Sequence, residues 1–161
     1  MSTVSKSAII SLSIADFANT DPFGKTNVLG MFADYLGYDP VLKQTTRFSL
    51  LAEVLLPVSL CPTEFDFELA LTDASGNLFT ANDGKAQKPA PLVQIRQRVK
   101  LEKPKQDIPS DQHLSLELPL RHTFVIDFPS GLPLNPDTVY CWRLQLDGDA
   151  DNARLLPFAV A

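Results

Sequence analysis

The chain has 161 residues, a net charge of −5, 45% apolar and 20% charged residues. That length suits one domain with a sizeable core and leaves little room for two. The composition excludes a disordered or membrane-embedded chain, and the acidic balance argues against nucleic acid as a partner. Thirteen prolines against seven glycines favour strands and stiff loops over long helices.

In chain order, Lys6 to Ala15 has one lysine and a short apolar stretch, but serines interrupt it and no small-x-small cleavage site follows, so it is not a secretory signal. It reads as a strand with Ala8, Ile10, Leu12 and Ile14 on one face. No apolar stretch reaches the ~20 residues that span a bilayer. Asp21-Pro22-Phe23-Gly24-Lys25 is a reversal in which Gly24 takes a positive φ, Asn27 follows it, and Gly30 inside the next strand marks a bulge or a close backbone approach. The best helical candidate is Phe32 to Leu42, interrupted by Gly37 and Pro40.

From Phe48 onward the dominant period is two. Phe48, Leu50, Ala52, Val54 and Leu56 define a strand ended by Pro57, and Leu51 and Leu55 add apolar side chains to its other face. With Val125 on the outer face of another strand, they make an apolar surface that a helix, a loop or another chain must cover. Phe65, Phe67, Leu69 and Leu71 alternate with Glu64, Asp66, Glu68 and Ala70, and Asp73 to Asn77 reverses the chain. Thr80 to Pro91 and Glu102 to about His113 are polar loops. Between them, Val93, Ile95, Val99 and Leu101 share one strand face; Gln94, Arg96, Arg98 and Lys100 share the other, about 6.8 Å apart. If this basic stripe neighbours the acidic stripe of Glu64, Asp66 and Glu68, the two pair across the ladder. If not, Arg96, Arg98 and Lys100 are free for an acidic partner.

Phe124, Ile126 and Phe128 mark another strand, and Pro129 to Asp137 a stiff connection. Tyr140, Trp142, Leu144 and Leu146 share a face, with Cys141 opposite. Trp142, the only tryptophan, is expected at the centre of the core, packed by Phe65, Phe67, Phe124 and Phe128. Asp147 to Asn152 is a hairpin turn before a last strand from Arg154 to Val160. Eight or nine short strands with recurring turns predict an all-β, antiparallel β-sandwich, immunoglobulin-like or similar, with at most one short helix. It forms a single domain over residues 1–161 with loop insertions at about 80–91 and 102–113.

Ala15-Asp16-Phe17-Ala18-Asn19 followed by Gly24-Lys25-Thr26-Asn27-Val28-Leu29-Gly30-Met31-Phe32 resembles the opening signature of an uncharacterised bacterial family of small β-sandwich proteins. Residues 67–76 and 138–148 are also similar to it. The resemblance implies the sandwich fold and supplies no catalytic residue.

Catalytic and cofactor motifs are missing. There is no Gly-x-Ser-x-Gly, no Walker loop, no Gly-x-Gly-x-x-Gly and no His-Glu-x-x-His. His122 is in phase with Phe124 and reads as a packing residue; His113 falls in a polar loop. Cys61 and Cys141 lack the clustering of a zinc site and are expected as free thiols. Asp147, Asp149 and Asp151 have the spacing of the first ligands of a calcium loop. However, Asn152 stands where that loop has glycine and Phe158 where it has a bidentate glutamate, so the first reading is a solvated acidic turn. The expectation is a non-enzymatic structural or protein-interaction module without cofactor, self-associating or bound to a protein partner through Leu51, Leu55, Arg96, Arg98 and Lys100. It would be a component of a larger assembly such as a virion, and otherwise cytoplasmic. The alternative is a module binding calcium through Asp147, Asp149 and Asp151, or carbohydrate near Phe23, Tyr35 and Tyr38.

Overall fold

A computed structural model describes residues 2–31, 34–80, 90–102 and 119–161. Two sheets pack face to face. One has four strands in the order β2 (Thr26–Met31), β1 (Ile9–Thr20), β6 (Phe48–Leu56) and β9 (Leu120–Phe128). The other has five: β3 (Tyr35–Leu36), β11 (Arg154–Val160), β10 (Thr138–Leu146), β7 (Thr63–Asp73) and β8 (Gln94–Leu101). All ladders within these sheets are antiparallel except the short parallel pairing of β3 with β11. A small hairpin, β4 (Tyr38–Asp39) with β5 (Gln44–Thr45), stands apart. The all-β sandwich expected from the alternation is therefore present.

Period-two patterning sets the core, because each strand sends alternate side chains to opposite faces. Ile10, Leu12 and Ile14 lie opposite Val54, Ala52 and Leu50, which lie opposite His122, Phe124 and Ile126. The second sheet contributes Phe65, Phe67, Leu69, Leu71, Tyr140, Trp142, Leu144, Leu146 and Phe158. The sheets meet through aromatic rings: Phe67 stacks on Phe124 with centroids 4.0 Å apart, and Trp142 lies 5.6 Å from Phe128 and 6.5 Å from Phe48.

Trp142 is fully buried, as expected, but its aromatic neighbours are Phe48, Phe128 and Phe158, not the full predicted set. Register explains the difference. Trp142 is level with Leu71 and Phe67 with Leu146, so Phe67 sits four residues along the sheet, about 13 Å away. There it meets Phe124 instead.

Two further expectations change. The stretch proposed as a helix from Phe32 to Leu42 forms β3, β4 and a turn over its described residues. Asp39 accepts the N–H groups of Val41 and Leu42 at 2.8 and 3.0 Å, an arrangement that competes with a helix, and Lys43 closes the turn at φ 56°. The α-helix among the described residues is instead α1 (Thr3–Ser7), capped by the Ser2 hydroxyl, which accepts the Ser5 N–H. Within the predicted loop insertions, residues 81–89 and 103–113 lie outside the described residues.

Candidate functional site

β1 changes partner along its length. Ile9 to Ala15 pairs with β6, and Ala15 to Thr20 pairs with β2. The second half, with β2, forms a two-stranded arm built from the residues that carry the family resemblance. Its turn is held by Asp21, whose Oδ1 accepts the N–H groups of Phe23 and Lys25. The Asn27 amide donates to Asn19 Oδ1 across the ladder at 3.3 Å. Gly30 has φ +65°, and a Cβ built there would collide with the Asp16 carboxylate. Only glycine admits both the backbone angle and the overlying side chain.

The arm is fastened to the outer face of the four-stranded sheet. The Ala18 N–H donates to Ser49 Oγ at 2.9 Å; Ser49 Oγ donates to Asp127 Oδ1 at 2.9 Å; Arg47 Nη2 is 2.9 Å from Asp127 Oδ2. The Arg47 guanidinium also lies over the Phe17 ring, 4.9 Å from its centroid. Ala15, Ala18 and Leu51 bury together against Val125, forming a small second core. This corrects the expectation for Leu51. It is 7% exposed, and the cover over it is the chain's own arm.

Where the arm overhangs the sheet, a cleft of about 400 Å³ remains. Its floor is the rung Ser11–Glu53–Thr123 together with Leu51 and Ser13. Its roof includes Lys25, Thr26, Val28 and Met31. Arg121 closes one side, its Nε 3.2 Å from Glu53 Oε1. Sequence reasoning missed this cleft. The available signal was the break in alternation at Ala15, which is buried although it falls out of phase with Ile10, Leu12 and Ile14.

The other predicted site residues are distributed over the fold. Leu55, half-buried opposite Ile9 and Arg121, lines a separate 220 Å³ cleft with Pro57 and Pro119. Arg96, Arg98 and Lys100 stand directly opposite Glu68, Asp66 and Glu64. Arg96 pairs with Glu68 at 2.8 Å, Arg98 with Glu64 at 3.1 Å and Asp66 at 3.6 Å, and Lys100 with Glu102 at 3.6 Å. The condition that frees the basic stripe for an acidic partner is not met.

Asp147, Asp149 and Asp151 do not converge. Asp147 Oδ1 accepts the Asp66 N–H at 2.8 Å. Asp149 Oδ2 accepts the Ser5 hydroxyl at 2.7 Å and the Asn152 amide at 3.0 Å, bonds that hold its carboxyl below the usual range. Asp151 is exposed. Among the described residues, no three His, Cys, Asp or Glu side chains are placed to share a metal ion. Phe23, Tyr35 and Tyr38 are likewise separated: Phe23 at the arm's turn, Tyr35 on the edge of the five-stranded sheet, and Tyr38 against the main core.

His122 packs edge-on to Phe124, centroids 4.5 Å apart, and burial lowers its pKa. Both cysteines are free thiols; Cys61 is buried and Cys141 half-buried, with burial pushing the Cys141 thiol up. His113 lies outside the described residues. No helix among the described residues is long and apolar enough to cross a membrane. Against known proteins, the chain matches no family model and no curated sequence.

Proposed function

We propose that the chain is a non-enzymatic protein-interaction module, a building block of a larger assembly, and that its contact is the edge of β2, which has no further strand beside it among the described residues. The partner supplies an extended segment that adds to this edge as a further strand. The observation that carries this reading is the contrast between β2 and the other long sheet edges, β3 being only two residues. Edge strands invite pairing unless charges, prolines or a cover prevent it. β8 carries Arg96, Arg98 and Lys100; β9 carries Arg121 and Asp127; β11 carries Arg154 and Pro157 and is partly covered by β3. β2, by contrast, has no charged residue and no proline between Thr26 and Met31. Its Leu29 is 68% exposed and Met31 45%, with Phe23 at the turn 88% exposed. Main-chain hydrogen bonds to such an edge supply affinity, and the flanking apolar side chains supply selectivity.

The test places a photo-crosslinking residue at Leu29 in the full chain, with and without Met31→Lys. Light scattering at rising concentration and cross-linking in native extract are read together with amide exchange of β2. The expected result is a cross-linked polypeptide, or a second copy, that protects β2 amides and is lost with the added charge. A chain that stays monomeric and gives no cross-link, or a cross-link indifferent to Met31→Lys, overturns the reading.

A further inference from the structure

We propose that the cleft between the arm and the four-stranded sheet binds a small organic carboxylate with a short apolar tail. The inference does not rest on strand addition at the β2 edge, although Val28 and Met31 belong to both surfaces.

Charge points to an anion. Arg121 and Glu53 neutralise each other at 3.2 Å. Lys25, on the cleft's roof, makes no ion pair among the described residues, and Asp21, which accepts the Phe23 and Lys25 N–H groups in the turn, is not part of the lining. The charged residues of the lining, Lys25, Arg121 and Glu53, therefore sum to one positive charge in a chain of net charge −5.

Hydrogen bonding points the same way. Ser13, only 6% exposed, lines the cleft and offers its hydroxyl to a ligand oxygen. Thr123 and Ser11 offer further hydroxyls along the same floor.

The rest of the lining selects among anions. One cation with neutral hydroxyl donors matches the single charge of a carboxylate. A phosphate, with nearly two charges at neutral pH, calls for more cations than Lys25 alone. Leu51, Val28 and Met31 supply an apolar wall for a hydrocarbon tail, and about 400 Å³ lies within the ~300–1,000 Å³ range of small-molecule sites.

The test follows amide and methyl NMR shifts of the full chain during titration with butyrate, butyramide, inorganic phosphate and an N-acetylated tripeptide with a free C-terminal carboxylate. Butyrate is expected to give saturable shifts at Ser13, Lys25, Leu51 and Thr123, with butyramide giving none and phosphate binding more weakly. Tighter binding of the tripeptide than of butyrate identifies the carboxylate as a chain terminus; the reverse identifies a free acid. Lys25→Ala and, separately, Ser13→Ala should each weaken butyrate about tenfold or more, while Lys43→Ala, on the β4–β5 turn, should not. Lys25 is exposed, so its variant tests the site even if Ser13→Ala alters folding. The proposal is overturned by equal shifts from butyrate and butyramide, by phosphate binding more tightly, by an unchanged Lys25→Ala titration, or by no saturable shift in the cleft.

Discussion

On the outer face of the five-stranded sheet, charge meets charge. Glu64, Asp66 and Glu68 lie opposite Lys100, Arg98 and Arg96, and Arg143 reaches from beside Ala70 toward Glu68 Oε1 at 3.9 Å and the Gly76 carbonyl at 3.5 Å. On the outer face of the four-stranded sheet, small and apolar residues are closed over by a folded-back arm, anchored by one hydroxyl, one carboxylate and one guanidinium. The first face satisfies itself by many weak, exposed pairs, each worth about 0.2–1 kcal/mol. The second is satisfied by fewer, better buried contacts, and it leaves over an uncharged edge and a cationic cleft. Pairing within a sheet uses up its recognition chemistry, whereas covering a sheet with an arm creates new surface.

The most severe test removes what both faces rest on. Trp142→Ala should cost about 3–5 kcal/mol, a large part of a domain's stability, and abolish the cooperative melt or move it far down. Gly30→Val is the sharpest way to break the arm alone. The positive φ and the collision with Asp16 should cost about 1–3 kcal/mol, with faster amide exchange at Ala18 and no change across the β7–β8 ladder. Equal acceleration in both regions would show that the arm and the five-stranded sheet are one cooperative unit.

Ser49→Ala leaves the buried Ala18 N–H without its acceptor. About 1–3 kcal/mol of destabilisation is expected by chemical denaturation, nearly all of it in the arm's exchange rates. Glu68→Gln addresses the other face and should cost at most about 1 kcal/mol, shrinking with added salt. A salt-independent loss of several kcal/mol would contradict the picture of many weak pairs.

The smallest effect is pH dependence. Burial holds His122 below the ordinary value of 6.5, so the unfolded chain takes up this proton first. Stability is then fully present above that value and declines as pH falls through 6.5 toward the folded pKa. His122→Gln should remove that decline. Asp73, lowered chiefly by the Asn77 backbone N–H, and Asp149, lowered chiefly by the Ser5 hydroxyl, have folded values below 3.8. Their stabilisation is present above that value and is lost in more acidic solution, in both wild type and variant.

The strands were readable because their cause is local. Thr138 to Leu146 and Arg154 to Val160 bury alternate residues, and a period of two needs no knowledge of the partner strand. The charged stripes were readable as stripes, but their pairing needed the β7–β8 neighbourhood. α1 escaped because five residues hold too little periodicity, leaving Ser2 and Ser5 as its only sign. Asp147, Asp149 and Asp151, whose first reading was an acidic turn with a calcium loop as the alternative, lie on a turn and do not converge. With φ 51° at Asp147 and 70° at Gly148, equal spacing no longer means a shared direction. The cleft showed in local pattern only as the break in alternation at Ala15. Its anchors link residues 31 and 78 positions apart, and Lys25 meets Ser13 and Arg121 only once the arm has folded back.

Because β1 is one continuous strand through two ladders, the arm is mechanically coupled to the sheet beneath it. A pull on β2 first loads its own ladder with β1, from Ala15 to Thr20, then passes along the same backbone into the pairing of Ile9 to Ala15 with β6. That second ladder resists lengthwise sliding through several hydrogen bonds strained at once, and β6 is buried on both faces at its centre. Traction applied at the rim of the molecule is thus borne by its most deeply seated strand, with the Ala18–Ser49–Asp127 chain of hydrogen bonds acting as the rivet that must shear before the arm can lift.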